Sequence, residues 1–230
     1  LLIGTNPRLE ATILNARIRK AYIKNKLKIY SIGDAGDLTY PYQNIGSNTS
    51  IIREVVSGSH EISNKIKKAK KPMIVIGDSA LYGKSGRYVF ETLKKFLSDN
   101  NFIKKSWNAL NILTQQASRV GAIDLDVCSI SENENFLFFN KLDNDDFKLI
   151  YLLGADNINF EKKNKFIVYQ GSHGDKGAEI ADIILPGAAY TEKNGLFINL
   201  EGSLQRAYKA SYPPGDARED WTIIKELSDR

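Results

Sequence analysis

Short apolar runs recur along the chain, and each one stops at or just before a glycine. These runs are rich in Ile, Val, Leu and Tyr, and they cover residues 1–3, 29–32, 73–76, 149–153, 166–170 and 183–186. Short, continuously apolar segments are typical of strands that are covered on both faces, as in parallel sheets. A glycine at the carboxyl end of a strand lets the chain turn sharply, because glycine adopts positive φ readily. The pattern therefore predicts parallel strands.

Segments with apolar residues at helical spacing lie between several of these strands. They cover residues 8–24, 51–56, 61–70, 87–98, 107–121 and 217–228. In the first segment Leu9, Ile13 and Ile18 fall on one predicted face, and Ser106 is a candidate N-cap for the fifth. Strands that alternate with helices are typical of βαβ units. The sequence therefore predicts an α/β fold with a doubly wound sheet.

The alternation of strand and helix breaks over residues 123–146, which are rich in acidic residues and Asn. We predict that this segment connects two α/β lobes, the first at residues 1–122 and the second at residues 147–230 with a C-terminal helix. The sequences LLIGTNP and YLLGADN then correspond to the first turns of two related lobes.

Composition and charge limit the classes of protein that need to be considered. The chain has 230 residues, of which 42% are hydrophobic and 26% charged, as in a globular protein. No apolar run approaches the roughly 18 residues of a membrane span. Residues 1–115 carry 19 Lys and Arg against 8 Asp and Glu, whereas residues 116–230 carry 13 against 19. The chain begins without Met, so we expect a fragment of a longer protein.

The basic half of the chain contains a dense group of lysines. They are Lys65, Lys67, Lys68, Lys70 and Lys71. We interpret them as a solvated helix face, with docking to an acidic surface of another subunit as the alternative. No aromatic residues are interleaved with these lysines, so nucleic acid is not a predicted partner.

The residues that could bind metal are few. The sequence has one cysteine, Cys128, and two histidines, His60 and His173. An iron–sulfur cluster usually takes four thiolates, or two thiolates and two imidazoles, and a structural zinc site needs a similar set. The chain is therefore predicted to bind neither by itself.

The turns that follow the predicted strands contain capping and hydrogen-bonding residues. Asn6 is a good N-cap, Pro7 suits the first helical position, and Glu10 lies near the positive end of the helix. A capped turn is the preferred interpretation, and a phosphate site is the alternative. Asp156 is interpreted in the same way, as a capping or turn residue.

The glycine-rich sequence QGSHGDKG at residues 170–177 is open to two interpretations. It is either an anion-binding loop of backbone amides or a rigid surface loop. No nucleophile at motif spacing completes a triad with His173, so no catalytic residue is predicted.

The strongest site candidates lie in residues 185–206, LPGAAYTEKNGLFINLEGSLQR. This segment contains Glu192, Lys193, Asn199, Glu201 and Gln205 at close spacing. An ordinary sheet connection does not need so many hydrogen-bonding side chains.

This pattern, LP…EK.G…N.EG..Q, resembles the signature of the molybdopterin oxidoreductase family. GTNPR, QGSHGDKGAEIADIILPGAAYTEK and PPGDAREDW resemble one branch of it, the large iron–sulfur subunits of respiratory complex I, the NADH–quinone oxidoreductase. The resemblance is strongest at residues 1–20, 70–81, 150–156 and 170–221, and residues 82–147 match poorly.

The resemblance implies two Rossmann-like lobes and a set of vestigial pterin-site positions. These positions are Gly4, Asn6, Glu192, Lys193, Asn199, Glu201, Gly202 and Gln205. Ser203 stands where the family pattern has an arginine, and no side chain is recognisable as a molybdenum ligand. The complex I branch is understood to keep the fold without the cofactor, so these residues are expected to form an internal hydrogen-bond network.

The resemblance also implies a function for the parent protein. Complex I passes electrons from NADH to quinone and couples this transfer to ion translocation. Its large subunit is expected to bind 4Fe-4S and 2Fe-2S clusters through an N-terminal region outside this chain. The chain itself is expected to be non-catalytic and to dock other peripheral-arm subunits, on the cytoplasmic face in bacteria or the matrix side in mitochondria.

Two alternatives from other classes of protein remain. One is half of a true molybdopterin-dependent oxidoreductase, and the other is a generic nucleotide-binding α/β module.

Overall fold

The computed structural model describes residues 1–82, 84–127, 141–142, 146–156 and 160–230. The chain forms two compact units, unit 1 (Leu1–Gln116) and unit 2 (Ala117–Arg230). Cys128 and most of the predicted connecting segment lie outside the described residues. The lobe limits at residues 122 and 147 stay predictions.

Unit 1 is built around a parallel five-stranded sheet. Its elements in chain order are β1 (Leu2–Ile3), α1 (Pro7–Glu10), α2 (Thr12–Asn25), β2 (Tyr30–Ile32), β3 (Gln43–Asn44), α3 (Ser50–Ser57), α4 (Glu61–Lys68), β4 (Ile74–Gly77), α5 (Asp78–Leu81), α6 (Gly86–Asp99), β5 (Ile103–Lys104), β6 (Trp107–Asn108) and β7 (Leu110–Leu113). The strand order is β3-β2-β1-β4-β7, and β5 and β6 form a small antiparallel pair. All neighbours in the larger sheet are parallel, as the apolar runs predict.

The sheet of unit 1 is covered on both faces. Successive side chains of a strand point to opposite faces, and Ile74 and Ile76 lie in one buried cluster while Val75 lies in another. The first cluster includes Leu93 of α6, and the second is covered by Ile18 of α2. Coverage of both faces explains why the strands are continuously apolar.

Unit 2 contains a smaller parallel sheet and a hairpin. Its elements are α7 (Arg119–Asp124), β8 (Leu149–Leu153), β9 (Phe166–Gly171), α8 (Lys176–Ile180), β10 (Ile183–Pro186), β11 (Gly195–Ile198), β12 (Leu204–Ala207) and α9 (Asp220–Ser228). The sheet order is β10-β9-β8, and β11 pairs with β12 in antiparallel fashion. Leu152, Ile167 and Tyr169 form its buried cluster. The predicted α/β class with parallel strands is therefore confirmed.

The six predicted strands are confirmed as β1, β2, β4, β8, β9 and β10, with ends that differ by at most one residue. The predicted helices at residues 51–56, 61–70, 87–98 and 217–228 are confirmed as α3, α4, α6 and α9. Within the described residues, no helix is both long and apolar enough to cross a membrane.

The predicted single helix at residues 8–24 is wrong in one respect. The chain forms α1 and α2 instead, because Ala11 between them has a non-helical backbone conformation, with φ −152° and ψ 74°. Leu9 and Ile13, which belong to the predicted apolar face, are 79% and 78% exposed, so they do not lie on the buried side. The buried side of α2 contains Leu14, Ile18 and Tyr22.

The predicted helix at residues 107–121 is also wrong. Residues 107–108 and 110–113 form β6 and β7, and the helix that follows, α7, begins only at Arg119. Asn108 accepts a hydrogen bond from the backbone amide of Leu110 at 3.0 Å, a local turn that competes with helix. β7 then pairs with β4 and completes the sheet, so Ser106 is not an N-cap. The pairing of β7 with β4 therefore determines the structure of this segment, although its apolar residues have helical spacing.

Candidate functional site

The turn between β1 and α1 places two candidate residues, Gly4 and Asn6, in unit 1. Gly4 has φ +55°, and its amide donates to the carbonyl of Ile32 at 3.0 Å. A Cβ added at Gly77 would lie 2.2 Å from the carbonyl oxygen of Gly4. The ends of β1, β2 and β4 therefore approach each other so closely that only glycine fits at position 77.

Side chains of the chain itself cap the amides of this turn. Asn6 Oδ1 accepts from the amides of Arg8 at 3.1 Å and Leu9 at 3.3 Å, so its predicted role as N-cap is confirmed. Glu10 accepts in return from the Asn6 amide and from Thr5 Oγ1, both at 2.8 Å. These are the amides that a phosphate at this turn would need, and they already have partners. The geometry favours a capped turn over a phosphate site.

The cap gives a direct prediction for Asn6. We expect Asn6→Ala to lower the free energy of unfolding of unit 1 by about 1 kcal/mol, because the amides of Arg8 and Leu9 lose their acceptor. Urea denaturation at neutral pH measures the change. Asn25→Ala at the exposed end of α2 is the matched control and should leave stability nearly unchanged. Equal stability of the two variants would show that the cap contributes nothing.

The most connected polar group in the described part of unit 2 lies around Asp220, the first residue of α9. Gln170 is fully buried at the end of β9, and its Nε2 donates to Asp220 Oδ1 at 2.9 Å and to the Asp220 carbonyl at 3.2 Å. The Lys193 ammonium forms an ion pair with the other carboxylate oxygen. The Tyr151 hydroxyl donates to Gln170 Oε1. We call these four residues the Asp220 cluster.

The Asp220 cluster joins four parts of unit 2. Tyr151 comes from β8, Gln170 from β9, Lys193 from the loop before β11, and Asp220 from α9. Burial raises the pKa of Tyr151, and the negative charge of Asp220 raises it further, so its hydroxyl stays a donor at neutral pH. The cluster fixes the loop that carries two candidate residues, Glu192 and Lys193.

The remaining candidate residues lie in that loop and in the following hairpin. Glu192 accepts from the amide of Ala189 at 3.0 Å. Asn199 Oδ1 accepts from the amides of Glu201 at 3.0 Å and Ser203 at 2.9 Å, which closes the turn between β11 and β12. Gly202 has φ +79° in this turn. Glu192 and Asn199 therefore bond to the backbone of their own loops.

Two candidate side chains differ from the others. The side chains of Glu201 and Gln205 are exposed, and neither side chain forms a hydrogen bond with another residue that the structure describes. Lys193 was predicted only as a member of the pattern, and the structure shows its partner to be Asp220. Sequence reasoning missed Asp220, Gln170 and Tyr151 as members of a polar cluster.

A second buried group forms around Tyr169. Its hydroxyl donates to Asp156 Oδ1 at 2.7 Å and to the His173 carbonyl at 3.1 Å. Burial, followed by the hydrogen bond to Asp156, raises the pKa of Tyr169. Asp156 is thus held as a turn residue, and the glycine-rich loop packs on the tyrosine ring, where a Cβ at Gly177 would lie 2.6 Å from Cδ2.

His173 lies on this loop, and its Nδ1 is 2.9 Å from Ser172 Oγ. Across the described residues, no three His, Cys, Asp or Glu side chains are grouped so that they could hold a metal ion.

The chain belongs to the molybdopterin oxidoreductase family, whose sequence profile matches residues 1–230.

Three relatives are subunits of NADH-ubiquinone or NADH-quinone oxidoreductases. The chain is 46% identical over 230 residues to the NADH-ubiquinone oxidoreductase 75 kDa subunit of Reclinomonas americana. It is 42% identical over 232 residues to the mitochondrial 78 kDa subunit of Candida albicans, and 43% identical over 230 residues to a NADH-quinone oxidoreductase subunit of Rickettsia bellii. The whole chain is aligned in each case, but it spans only 33%, 31% and 32% of these proteins.

The family raises the question of a pterin cofactor, and the candidate side chains that already have hydrogen-bond or ion-pair partners do not fit one. Asn6, Glu192 and Asn199 accept hydrogen bonds from backbone amides of their own unit, and Lys193 pairs with Asp220. Groups that already have partners offer little to a polar ligand. Ser203 lacks the guanidinium that would bind an anion through two hydrogen bonds.

Proposed function

We propose that the chain is the molybdopterin-oxidoreductase-like region of a large iron–sulfur subunit of complex I. In this proposal it has a structural and docking role and no cofactor of its own. The observation that carries the proposal is the alignment of the entire chain, at 42–46% identity, with complex I subunits from three organisms.

The fold within this proposal is two Rossmann-like, doubly wound lobes. The strand order of unit 1, β3-β2-β1-β4-β7, supports this. The first strand is central, β2 and β3 are added on one side of it, and β4 and β7 are added on the other, as in a doubly wound sheet. Helices cover both of its faces. Unit 2 contributes three parallel strands with the short helix α8 between β9 and β10.

The candidate residues then have a structural role. Gly4 and Asn6 shape a capped turn, and Glu192, Asn199 and Gly202 shape two loops of unit 2. Lys193 fixes its loop to α9 through Asp220. Glu201 and Gln205 are exposed and are available to a neighbouring subunit.

The parent protein would supply the electron-transfer chemistry. Its 4Fe-4S and 2Fe-2S clusters would be bound outside this chain, and electrons would pass from NADH to quinone in the assembled complex. The chain would lie in the peripheral arm, on the cytoplasmic face in bacteria or the matrix side in mitochondria, with other arm subunits as partners. The names of the relatives, which are subunits of NADH-ubiquinone and NADH-quinone oxidoreductases, support membership of that complex.

A true molybdopterin enzyme remains the second candidate, since the matching profile is that of the molybdopterin oxidoreductases. The rest of such a protein would have to supply the metal ligand and most of the pterin contacts. The two candidates differ in what the intact protein binds.

The test is to purify the intact protein that carries this sequence from its native source, together with the proteins that copurify with it. We expect mass spectrometry to identify other complex I subunits, and elemental analysis to find iron but no stoichiometric molybdenum or tungsten. Stoichiometric molybdenum with an extractable pterin would establish the second candidate instead. Purification without a single complex I subunit would contradict the docking role.

A further inference from the structure

A groove opens at the edge of unit 1 where β1, β2 and β4 begin. Its volume is about 650 Å³, and its floor contains Leu2, Ile29, Ile66, Pro72 and Val75. Four of these floor residues are buried, and Ile66 is partly buried. A groove of this size with an apolar floor is large enough to take several side chains of another molecule.

Lysines surround this apolar floor. Lys26, Lys28, Lys65 and Lys71 all line the groove, and all four are exposed. Lys65 forms an ion pair with Glu61 at 3.0 Å, and this pairing raises the pKa of Lys65. Within the described residues, no carboxylate pairs with Lys26, Lys28 or Lys71. The rim therefore holds positive charge that the described chain does not neutralise.

The groove lies in the more basic half of the chain. Residues 1–115 carry 19 Lys and Arg against 8 Asp and Glu. The other basic residues of this half therefore strengthen the positive electrostatic potential at the rim of the groove. A field of one sign favours a partner of the opposite sign and accelerates its association.

We propose that this groove binds an acidic amphipathic segment of a partner polypeptide. Apolar side chains of the segment would occupy the floor, and its Asp and Glu residues would pair with Lys26, Lys28 and Lys71. The proposal goes beyond the proposed function, because it depends only on residues of unit 1 and not on membership of complex I.

Tyr30 lines the groove, and Trp107 contacts the groove residues Lys71 and Pro72. Both aromatic side chains argue against a nucleotide or nucleic acid as the occupant. The Lys65 ammonium lies 5.4 Å from the centre of the Tyr30 ring, and the Lys71 ammonium lies 5.2 Å from the centre of the Trp107 ring. Bases bind to such grooves by stacking on free ring faces. Each of these two rings already has a lysine over one face, and the apolar floor offers few partners to phosphate.

The test uses the intact protein that carries this sequence and a fluorescein-labelled helical peptide of Leu and Glu, with Leu at spacings of three and four residues. Fluorescence anisotropy measures the dissociation constant. We expect Lys28→Glu/Lys71→Glu to weaken binding by about tenfold or more, because two pairing groups become repulsive. The matched variant Lys94→Glu/Lys95→Glu makes the same change of charge on α6, away from the groove, and should weaken binding by less than about threefold.

The apolar half of the proposal has its own test. Leu27→Ser changes a groove residue that is already 44% exposed, so the fold should tolerate it. We expect this variant to weaken binding of the Leu and Glu peptide without changing the urea midpoint. A peptide with Gln in place of Glu should bind much more weakly.

Three results would overturn the proposal. The first is equal weakening by the two lysine pairs, which would indicate a diffuse charge effect. The second is equal affinity for the Gln peptide, which would remove the role of charge. The third is tighter binding of a single-stranded oligonucleotide than of the peptide at the same salt concentration, which would assign the groove to nucleic acid.

Discussion

Gly77→Ala is expected to lower the free energy of unfolding of unit 1 by about 3 kcal/mol, near the upper end of the range for overpacking substitutions. The added Cβ would meet the Gly4 carbonyl oxygen at 2.2 Å and Thr5 Cβ at 2.7 Å. Both contacts are far shorter than van der Waals distance. The first is to backbone at the end of β1, so a rotamer change of a side chain does not relieve it.

The measurement can be confined to unit 1, because the chain has one tryptophan in each unit, Trp107 and Trp221. Urea denaturation followed by tryptophan fluorescence in a Trp221→Phe background reports the unfolding of unit 1. The reference is the Trp221→Phe protein itself, and Ser47→Ala, at an exposed position of unit 1, is the control substitution. A midpoint for Gly77→Ala equal to that of this control would show that β1 and β4 do not approach as closely as described.

The strands were predictable from sequence because burial on both faces leaves a continuous apolar run. Residues 74–76 show this, since Ile74 and Ile76 face one core cluster and Val75 the other. Residues 107–121 were misassigned because Leu110 and Leu113 are three residues apart, which also fits a helical face. Only the pairing of β7 with β4 distinguishes the two interpretations, and that pairing is a tertiary contact.

In the candidate site, too, local interactions were predictable from the sequence and tertiary contacts were not. Asn6 was predictable because a helix cap is a local interaction between neighbours in sequence. The contact between Gln170 and Asp220 joins residues 50 positions apart. In the sequence, Gln170 is the last residue of a predicted strand, and no local pattern indicates that its side chain is fully buried. The one available signal was that both residues fall in the segment 170–221, which most resembles the family.

Asp220→Ala is expected to lower the free energy of unfolding of unit 2 by about 2 kcal/mol, the scale for loss of hydrogen bonds to a charged acceptor. The substitution leaves the Lys193 ammonium without its ion-pair partner and removes the side-chain acceptor of Gln170 Nε2. Gln170 is fully buried, so water does not readily replace the lost partner. The ion pair itself is about 30% exposed, which keeps the expected loss below that for a fully buried pair.

Trp221 fluorescence in a Trp107→Phe background measures this change during urea denaturation. Asp216→Ala removes an exposed carboxylate four positions earlier in sequence and should change stability by less than about 0.5 kcal/mol. Asp220→Asn keeps an acceptor for Gln170 but loses the charge, so its stability should fall between wild type and Asp220→Ala. If Asp220→Ala were as stable as Asp216→Ala, the cluster would not be what holds the Lys193 loop to α9. If Asp220→Asn were as unstable as Asp220→Ala, the ion pair and not the amide contact would account for the stabilisation.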